Sequence, residues 1–315
     1  MQKERIMESL VNESYDGLRL DAYLSKRFSY MSRTSWQREI SAGKLKLNGQ
    51  VTVNVKKHIY PGDMVEYIAG EILEPDIDSG YSVIFENENY LAVNKTGNLP
   101  VHPSGIFFRN TLVMLLEDHR GEKFYPVHRL DRETSGALLL GKNSAAASEV
   151  QKNFSKTGKE YISIVRGNVA EKYFIIDKPI GPARNSLINK KREAYPGAEE
   201  SALTEFKLLS SSDAFSVVKA FPVTGRMHQI RVHLKYAGYP VLGDKMYGDD
   251  ETIYLDYVKN GDSENLEERA GFQRCALHSR SFTFFDPFEK REIKICADLP
   301  CDMEMFIKNN NLIYE

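Results

Sequence analysis

Three short stretches of the sequence concentrate residue types able to handle protons, anions and rings. The densest is His128-Arg129-Leu130-Asp131-Arg132-Glu133-Thr134-Ser135-Gly136, which runs straight into the apolar segment Ala137-Leu138-Leu139-Leu140. A loop feeding a buried strand holds a side chain firmly while letting it reach a cleft. Asp131 has Arg129 and Arg132 close in sequence, and cations favour the ionised carboxylate, so it suits a nucleophile or general base and not a general acid. The plainer reading is that Asp131 and Thr134 cap a local turn. Asp131 with Glu133 would make a carboxylate pair for hydrolysis, but no second motif supports sugar cleavage.

The second stretch is Gly225-Arg226-Met227-His228-Gln229-Ile230-Arg231-Val232-His233-Leu234. Met227, Ile230, Leu234 and Ala237 recur at helical spacing and Gly238 ends the helix, so His228 and Arg231 project together on a neighbouring face. They could equally be a polar pair on a solvated face. Zinc would want His228 with His233, but five residues at about 100° each separate them by roughly 140° around the axis. In the third stretch, Lys159 to Gly167, Tyr161 shares a strand face with Ser163 and Val165. By itself it reads as a core tyrosine.

These stretches sit in a chain of 315 residues, a length that suggests about two domains. With 42% hydrophobic and 27% charged residues the composition is that of a folded protein and not a disordered one. No apolar run approaches the roughly 20 residues of a membrane helix, and the first residues open no signal stretch, so a cytoplasmic protein without a membrane partner is expected. Cys275, Cys296 and Cys301 form an odd set without a Cys-x-x-Cys pair, which suggests neither disulfides nor a zinc knuckle.

The net charge of −2 hides an uneven distribution. Gly17 to Tyr67 carries nine Lys and Arg against four carboxylates, +5, whereas Ile68 to Asn94 carries six carboxylates and no Lys or Arg. The break in sign, with Pro75 and Gly80, marks a linker over 71–80 between a unit of residues 1–70 and a larger one of 81–315. In the first unit Leu20, Leu24 and Phe28 step by four. Ser32 caps a second helix carrying Trp36 and Ile40 that stops at Gly43, and Asn48-Gly49 closes a hairpin. Arg33, Arg38, Lys44 and Lys46 lie off the apolar positions and form a candidate basic face. In the second unit Tyr90 to Val93 and Ala137 to Leu140 read as buried strands. Ser144 to Phe154 reads as a helix ended by Gly158, and Asp249 to Ala270 as an exposed acidic insertion or loop.

The motifs together carry a family resemblance. His128-Arg129-Leu130-Asp131-x-x-Thr134-Ser135-Gly136, Lys159-x-Tyr161, Gly225-Arg226-x-His228-Gln229-Ile230-Arg231-x-His233 and Gly243-Asp244-x-x-Tyr247-Gly248 resemble, in order, the signature of the RluA-type pseudouridine synthase family. The N-terminal helices and hairpin, about Gly17 to Tyr67, resemble the small S-four-like RNA-binding module, a common companion in that family. Thr96, Tyr239 and the acidic 249–270 stretch depart from the pattern.

The resemblance implies an α+β chain, a small helix-helix-hairpin module followed by a mixed, largely antiparallel sheet with a central cleft. It implies an isomerase that turns uridine in RNA into pseudouridine without cofactor or metal. Asp131 would be the catalytic carboxylate, Arg231 its cationic partner with Arg226 as runner-up, and Tyr161 the ring that stacks on uracil and helps remove the proton at carbon 5. Arg129 would fill the gap left by an extruded base, joined in RNA contact by Arg226, His228, Arg33, Arg38, Lys44 and Lys46. The expected partner is ribosomal RNA ahead of tRNA, handled by a monomer. The competing class is a non-catalytic RNA-binding, ribosome-associated protein.

Overall fold

A computed structural model describes the chain except residues 1–4, 29–30, 70–73, 105, 261–264 and 315. The first residues of the expected linker and the middle of the acidic stretch therefore lie outside the described residues. The chain divides into two compact units, residues 1–76 with 102–110, and residues 77–101 with 111–315.

In the first unit, helices Leu20–Arg27 and Arg33–Ser41 pack the apolar positions that their spacing put on one side: Leu20, Tyr23, Leu24, Trp36 and Ile40 are fully buried, joined by Leu45, Ile59 and Val65. Ser32 caps the second helix, its Oγ accepting from the Ser35 amide at 3.1 Å, which satisfies one otherwise orphaned donor. Strands Leu45–Leu47 and Gln50–Thr52 join through Asn48 and Gly49, both at positive φ, as a type I′ turn requires. Strands Arg5–Leu10 and Met64–Ala69, which the sequence reading did not identify, complete a four-stranded antiparallel sheet.

The second unit is built on a mixed sheet of ten strands. Its main path runs Tyr173–Asp177, Leu203–Ser211, Phe215–Pro222, Gly158–Arg166, Leu277–Asp286, Ser135–Gly141, Tyr90–Lys95, Tyr81–Glu86. Every neighbouring pair is antiparallel except Leu277–Asp286 with Ser135–Gly141. Ser135–Gly141 is buried along its whole length, as its unbroken apolar run demands. Helix Ser144–Lys152 ends earlier than expected, and Gly158 does not stop it but opens the next strand. Helix Gln229–Tyr236 lays Ile230 and Leu234 on Phe206, Val218 and Ala220 of the sheet.

The described part of the acidic 249–270 stretch is largely helical and not the expected loop. It forms helices Thr252–Asn260 and Leu266–Ala270, and three of its carboxylates are paired: Glu251 takes Lys191 at 2.7 Å, and Arg269 takes both Asp250 and Asp256.

The parallel junction depends on Gly136. Its φ is +112°, and a Cβ there would fall 2.3 Å from the carbonyl oxygen of Ser279, a backbone atom that cannot step aside. Both the left-handed backbone and the contact exclude a side chain. Gly136→Ala is expected to destabilise the protein by about 2–4 kcal/mol, read as a drop in denaturant midpoint without a change in slope.

Candidate active site

A cavity of about 520 Å³ opens in the second unit where the Asp131 loop, the strand bearing Tyr161 and the start of helix Gln229–Tyr236 converge. The stretches at Asp131, Tyr161 and Arg231, far apart in sequence, thus line one space. Tyr161 stands opposite Ser279, where a bulge between Ser279 and Ser281 interrupts the pairing and turns the strand locally.

At the wall of the cavity Arg231 donates from Nη1 to Asp131 Oδ2 at 2.7 Å, and the carboxylate side chain stays about a quarter exposed. The other edge of the guanidinium donates to Asp244 from Nε at 2.6 Å and Nη2 at 2.8 Å. Asp244 has no exposed side-chain surface and also accepts from the amides of Met246 and Tyr247 at 3.0 Å. Arg231 is therefore held from behind by a fork that fixes its plane, and only one nitrogen is presented to Asp131.

Burial pushes the Asp131 carboxyl up, but the surrounding cations outweigh it and the group lies below the usual carboxylate range. His228 faces Asp131 at 3.8 Å, too long for a hydrogen bond, and burial lowers its pKa to about 4. His228 holds the Asp131 carboxyl down only while it is itself protonated; at neutral pH it is uncharged, and Arg231, ahead of Arg129, is the cation beside the carboxylate. The Tyr247 hydroxyl accepts from the Arg192 amide and meets His228 Nδ1 at 2.8 Å, which fixes the plane of the ring. His228 adopts φ +58°, a strained position for a branched ring side chain that sets it in the cavity wall.

Tyr161 lines the same cavity, and burial raises its phenol to about 12. It stays protonated near neutral pH, which suits a stacking ring and an O–H donor better than a base for the carbon 5 proton. The rim carries cations. Arg129 is exposed and has no carboxylate partner among the described residues, whereas Arg226 donates to Ser201 O at 3.0 Å and lies 4.0 Å from Glu200. Lys159 lies over the Phe154 ring in the cavity wall. Among the described residues no group of three His, Cys, Asp or Glu is placed to hold a metal; His233 is fixed between Thr204 and Lys178 O.

Glu133 does not reach this cavity. It accepts from Lys245 Nζ at 3.1 Å and the Cys275 amide at 3.0 Å, on the far side of the loop, which removes the second carboxylate a hydrolytic pair needs. His128 accepts from the Leu139 amide and stacks on Phe282, and burial takes its pKa to about 3, so it is part of the loop's framework. Asp244 and Tyr247 are the site residues to which sequence reasoning gave no role. Their signal was the Gly243-Asp244-x-x-Tyr247-Gly248 motif itself.

An ionised carboxylate, a buried tyrosine, an apolar wall including Val127, Ile230 and Leu277, and a cationic rim thus line one cavity. The class these features define is the RNA pseudouridylate synthase, and the family model of that description matches residues 89–236. The chain is 31% identical over 317 residues to the uncharacterized RNA pseudouridine synthase YlyB of Bacillus subtilis, covering 95% of this chain and 96% of that protein. It is 32% identical to ribosomal large subunit pseudouridine synthase D of Borreliella burgdorferi over 74% of this chain and 76% of that protein. It is 31% identical to the mitochondrial tRNA pseudouridine(32) synthase of Saccharomyces cerevisiae over 78% of this chain, and spans about half, 53%, of that protein. In fold it is similar to human RNA pseudouridylate synthase domain containing 4, with a TM-score of 0.57 at 24% identity, over 74% of this chain and 94% of that one. The chain belongs to the RluA-type family of RNA pseudouridine synthases, isomerases that modify RNA.

Proposed function

We propose that this chain isomerises specific uridines in structured RNA, large-subunit ribosomal RNA ahead of tRNA, with Asp131 as the reacting carboxylate, Arg231 as its charge partner and Tyr161 as the stacking ring. The observation that carries the reading is the 2.7 Å Arg231–Asp131 contact inside a cavity of nucleotide size. Asp131 adds to the substrate or takes a ribose proton while the bond from ribose to base nitrogen breaks. The base then turns in the pocket and bonds to ribose carbon 1 through carbon 5, Asp131 leaving the adduct or returning its proton; carbon 5 gives its proton to solvent and the freed nitrogen takes one up, so the product is an isomer of the substrate. Tyr161 holds the uracil plane through that turn, and Arg129 is placed at the rim to occupy the gap in a stem.

Ribosomal RNA is favoured because the N-terminal unit resembles the S-four-like companion typical of the family branches that act there; its cations would meet the phosphate backbone. Arg19 and Arg33 both fork onto the fully buried Asp21, and Lys44 pairs with Glu39 at 2.8 Å, so two of the four cations expected to contact RNA are partly neutralised. Arg38 and Lys46 have no carboxylate partner among the described residues and carry the expectation. Arg38→Ala and Lys46→Ala are each expected to weaken RNA binding and to lower the slope of log affinity against log salt by about 0.7–0.9. An unchanged slope in both would remove this face from the interface.

The deciding experiment is tritium release from uridine labelled at carbon 5, with total ribosomal RNA and with tRNA as substrates. Release from ribosomal RNA supports the reading; release from tRNA alone keeps the isomerase and replaces its substrate, as the name of the yeast relative would suggest.

A further inference from the structure

We propose that Tyr257, carried on the acidic helical segment, is a positioning residue for Asp131 that acts through the guanidinium of Arg132; the inference rests on Asp131 being the reacting carboxylate. Arg231 holds the Asp131 side chain from the cavity side. The backbone behind it is held by polar contacts: Arg132 O accepts from Leu99 N at 3.0 Å and from Lys95 Nζ at 3.1 Å. The Arg132 side chain lies 4.8 Å over the Tyr257 ring and donates from Nη2 to the Tyr257 hydroxyl and, at 3.4 Å, to Glu133 Oε1. Lys245 Nζ lies 5.2 Å from the centre of the same ring, so Tyr257 gathers two cations on the far side of the loop.

A second cavity, about 190 Å³, opens there between Glu133, Lys245, Tyr257 and Arg274. Glu133 on that side is tied by Arg274 Nη1 to its carbonyl at 3.2 Å and by Lys245 and the Cys275 amide to its carboxylate, whereas the cavity leaves room for Arg132 to swing once its Tyr257 contact is cut. Tyr257 is itself presented by a braced element. Just before helix Thr252–Asn260, Glu251 accepts from Ser186 Oγ at 2.8 Å, the Leu187 amide at 3.2 Å and Lys191 at 2.7 Å. Arg269 of the next helix ties Asp250 to Asp256. The acidic residues thus make a fixed arm whose aromatic residue reaches Arg132, one position from Asp131.

A carboxylate displaced by a fraction of an ångström to an ångström from its attack position loses one to two orders of magnitude in rate. The test compares Tyr257→Ala, which removes ring and hydroxyl, with Tyr257→Phe, which keeps the ring under Arg132. Asp131→Asn serves as reference in the full-length protein. Single-turnover rate at saturating enzyme, RNA Kd and melting temperature are measured on a substrate RNA. Tyr257→Ala should lower the rate roughly tenfold with Kd within about twofold of wild type, and Tyr257→Phe should recover most of the loss. A wild-type rate in Tyr257→Ala beside an inactive Asp131→Asn overturns the inference and leaves the assignment of Asp131 standing. A loss confined to Kd, or one that follows melting temperature equally in both Tyr257 variants, also overturns it. An Asp131→Asn protein as active as wild type overturns the reading beneath it.

Discussion

Asp131→Asn is expected to abolish pseudouridine formation, a loss of at least about 10³-fold in single-turnover rate, while RNA affinity stays within about twofold of wild type. Asparagine keeps the shape of the carboxylate and still offers an oxygen to Arg231 Nη1, which sits 2.7 Å away in the wild-type chain. Arg231 also keeps both bonds to Asp244, so no buried cation is stranded and the fold should survive. What disappears is the anion. Tritium release equal to wild type would sink the assignment of Asp131, and a melting temperature close to wild type would show that any loss is chemical.

Arg231→Gln should be nearly as damaging to activity, and unlike Asp131→Asn it should also destabilise the protein. It strands Asp244, which has no exposed side-chain surface, and breaking such a buried pair costs about 3–5 kcal/mol. It also removes the main cation facing Asp131. Burial is the largest influence on that carboxyl and acts upward, so without Arg231 the pKa rises.

The sign of the pH effect follows. In the wild type the lowered Asp131 pKa contributes stability that is present above the ordinary carboxylate value of about 3.9 and is lost as pH falls through the lower folded value. From pH 5 upward Asp131 is ionised and contributes no acid limb to the rate. In Arg231→Gln an acid limb should appear, the rate rising with pH, on a level about 10²-fold or more below wild type at pH 7. The double change Arg231→Gln with Asp244→Asn should recover much of the stability and none of the activity. A pH-rate profile of Arg231→Gln parallel to that of wild type would overturn the charge role given to Arg231.

The elements that carry the site were legible in the sequence where a local pattern was strong. The unbroken apolar run after Ser135 read as a buried strand and Asn48-Gly49 announced its turn; Ile230 and Leu234 lie on the expected helix, but it starts only at Gln229, with Met227 exposed before it and His228 left-handed at its cap, so His228 and Arg231 do not share a helix face. Boundaries failed where a local rule met a tertiary demand. Gly158 looked like a helix stop, yet it begins a strand beside Thr283, where a side chain would crowd its neighbour. The acidic stretch looked like solvent-exposed loop because like charges repel in an isolated segment. Lys191 and Arg269, distant in sequence or in the next helix, neutralise it in the fold.

By itself the sequence determined which residue types were present for the chemistry, their order, and the local elements that would carry them. The tertiary structure alone decided which groups face one another. It chose Arg231 over Arg226 as the partner of Asp131 and turned Glu133 away from the cavity. It also placed Asp244 behind Arg231 and Tyr247 against His228. The physical reason is that charge pairing depends on distances of a few ångströms between side chains separated here by 100 positions, and spacing along the chain carries no information about such distances until the sheet has brought the strands together.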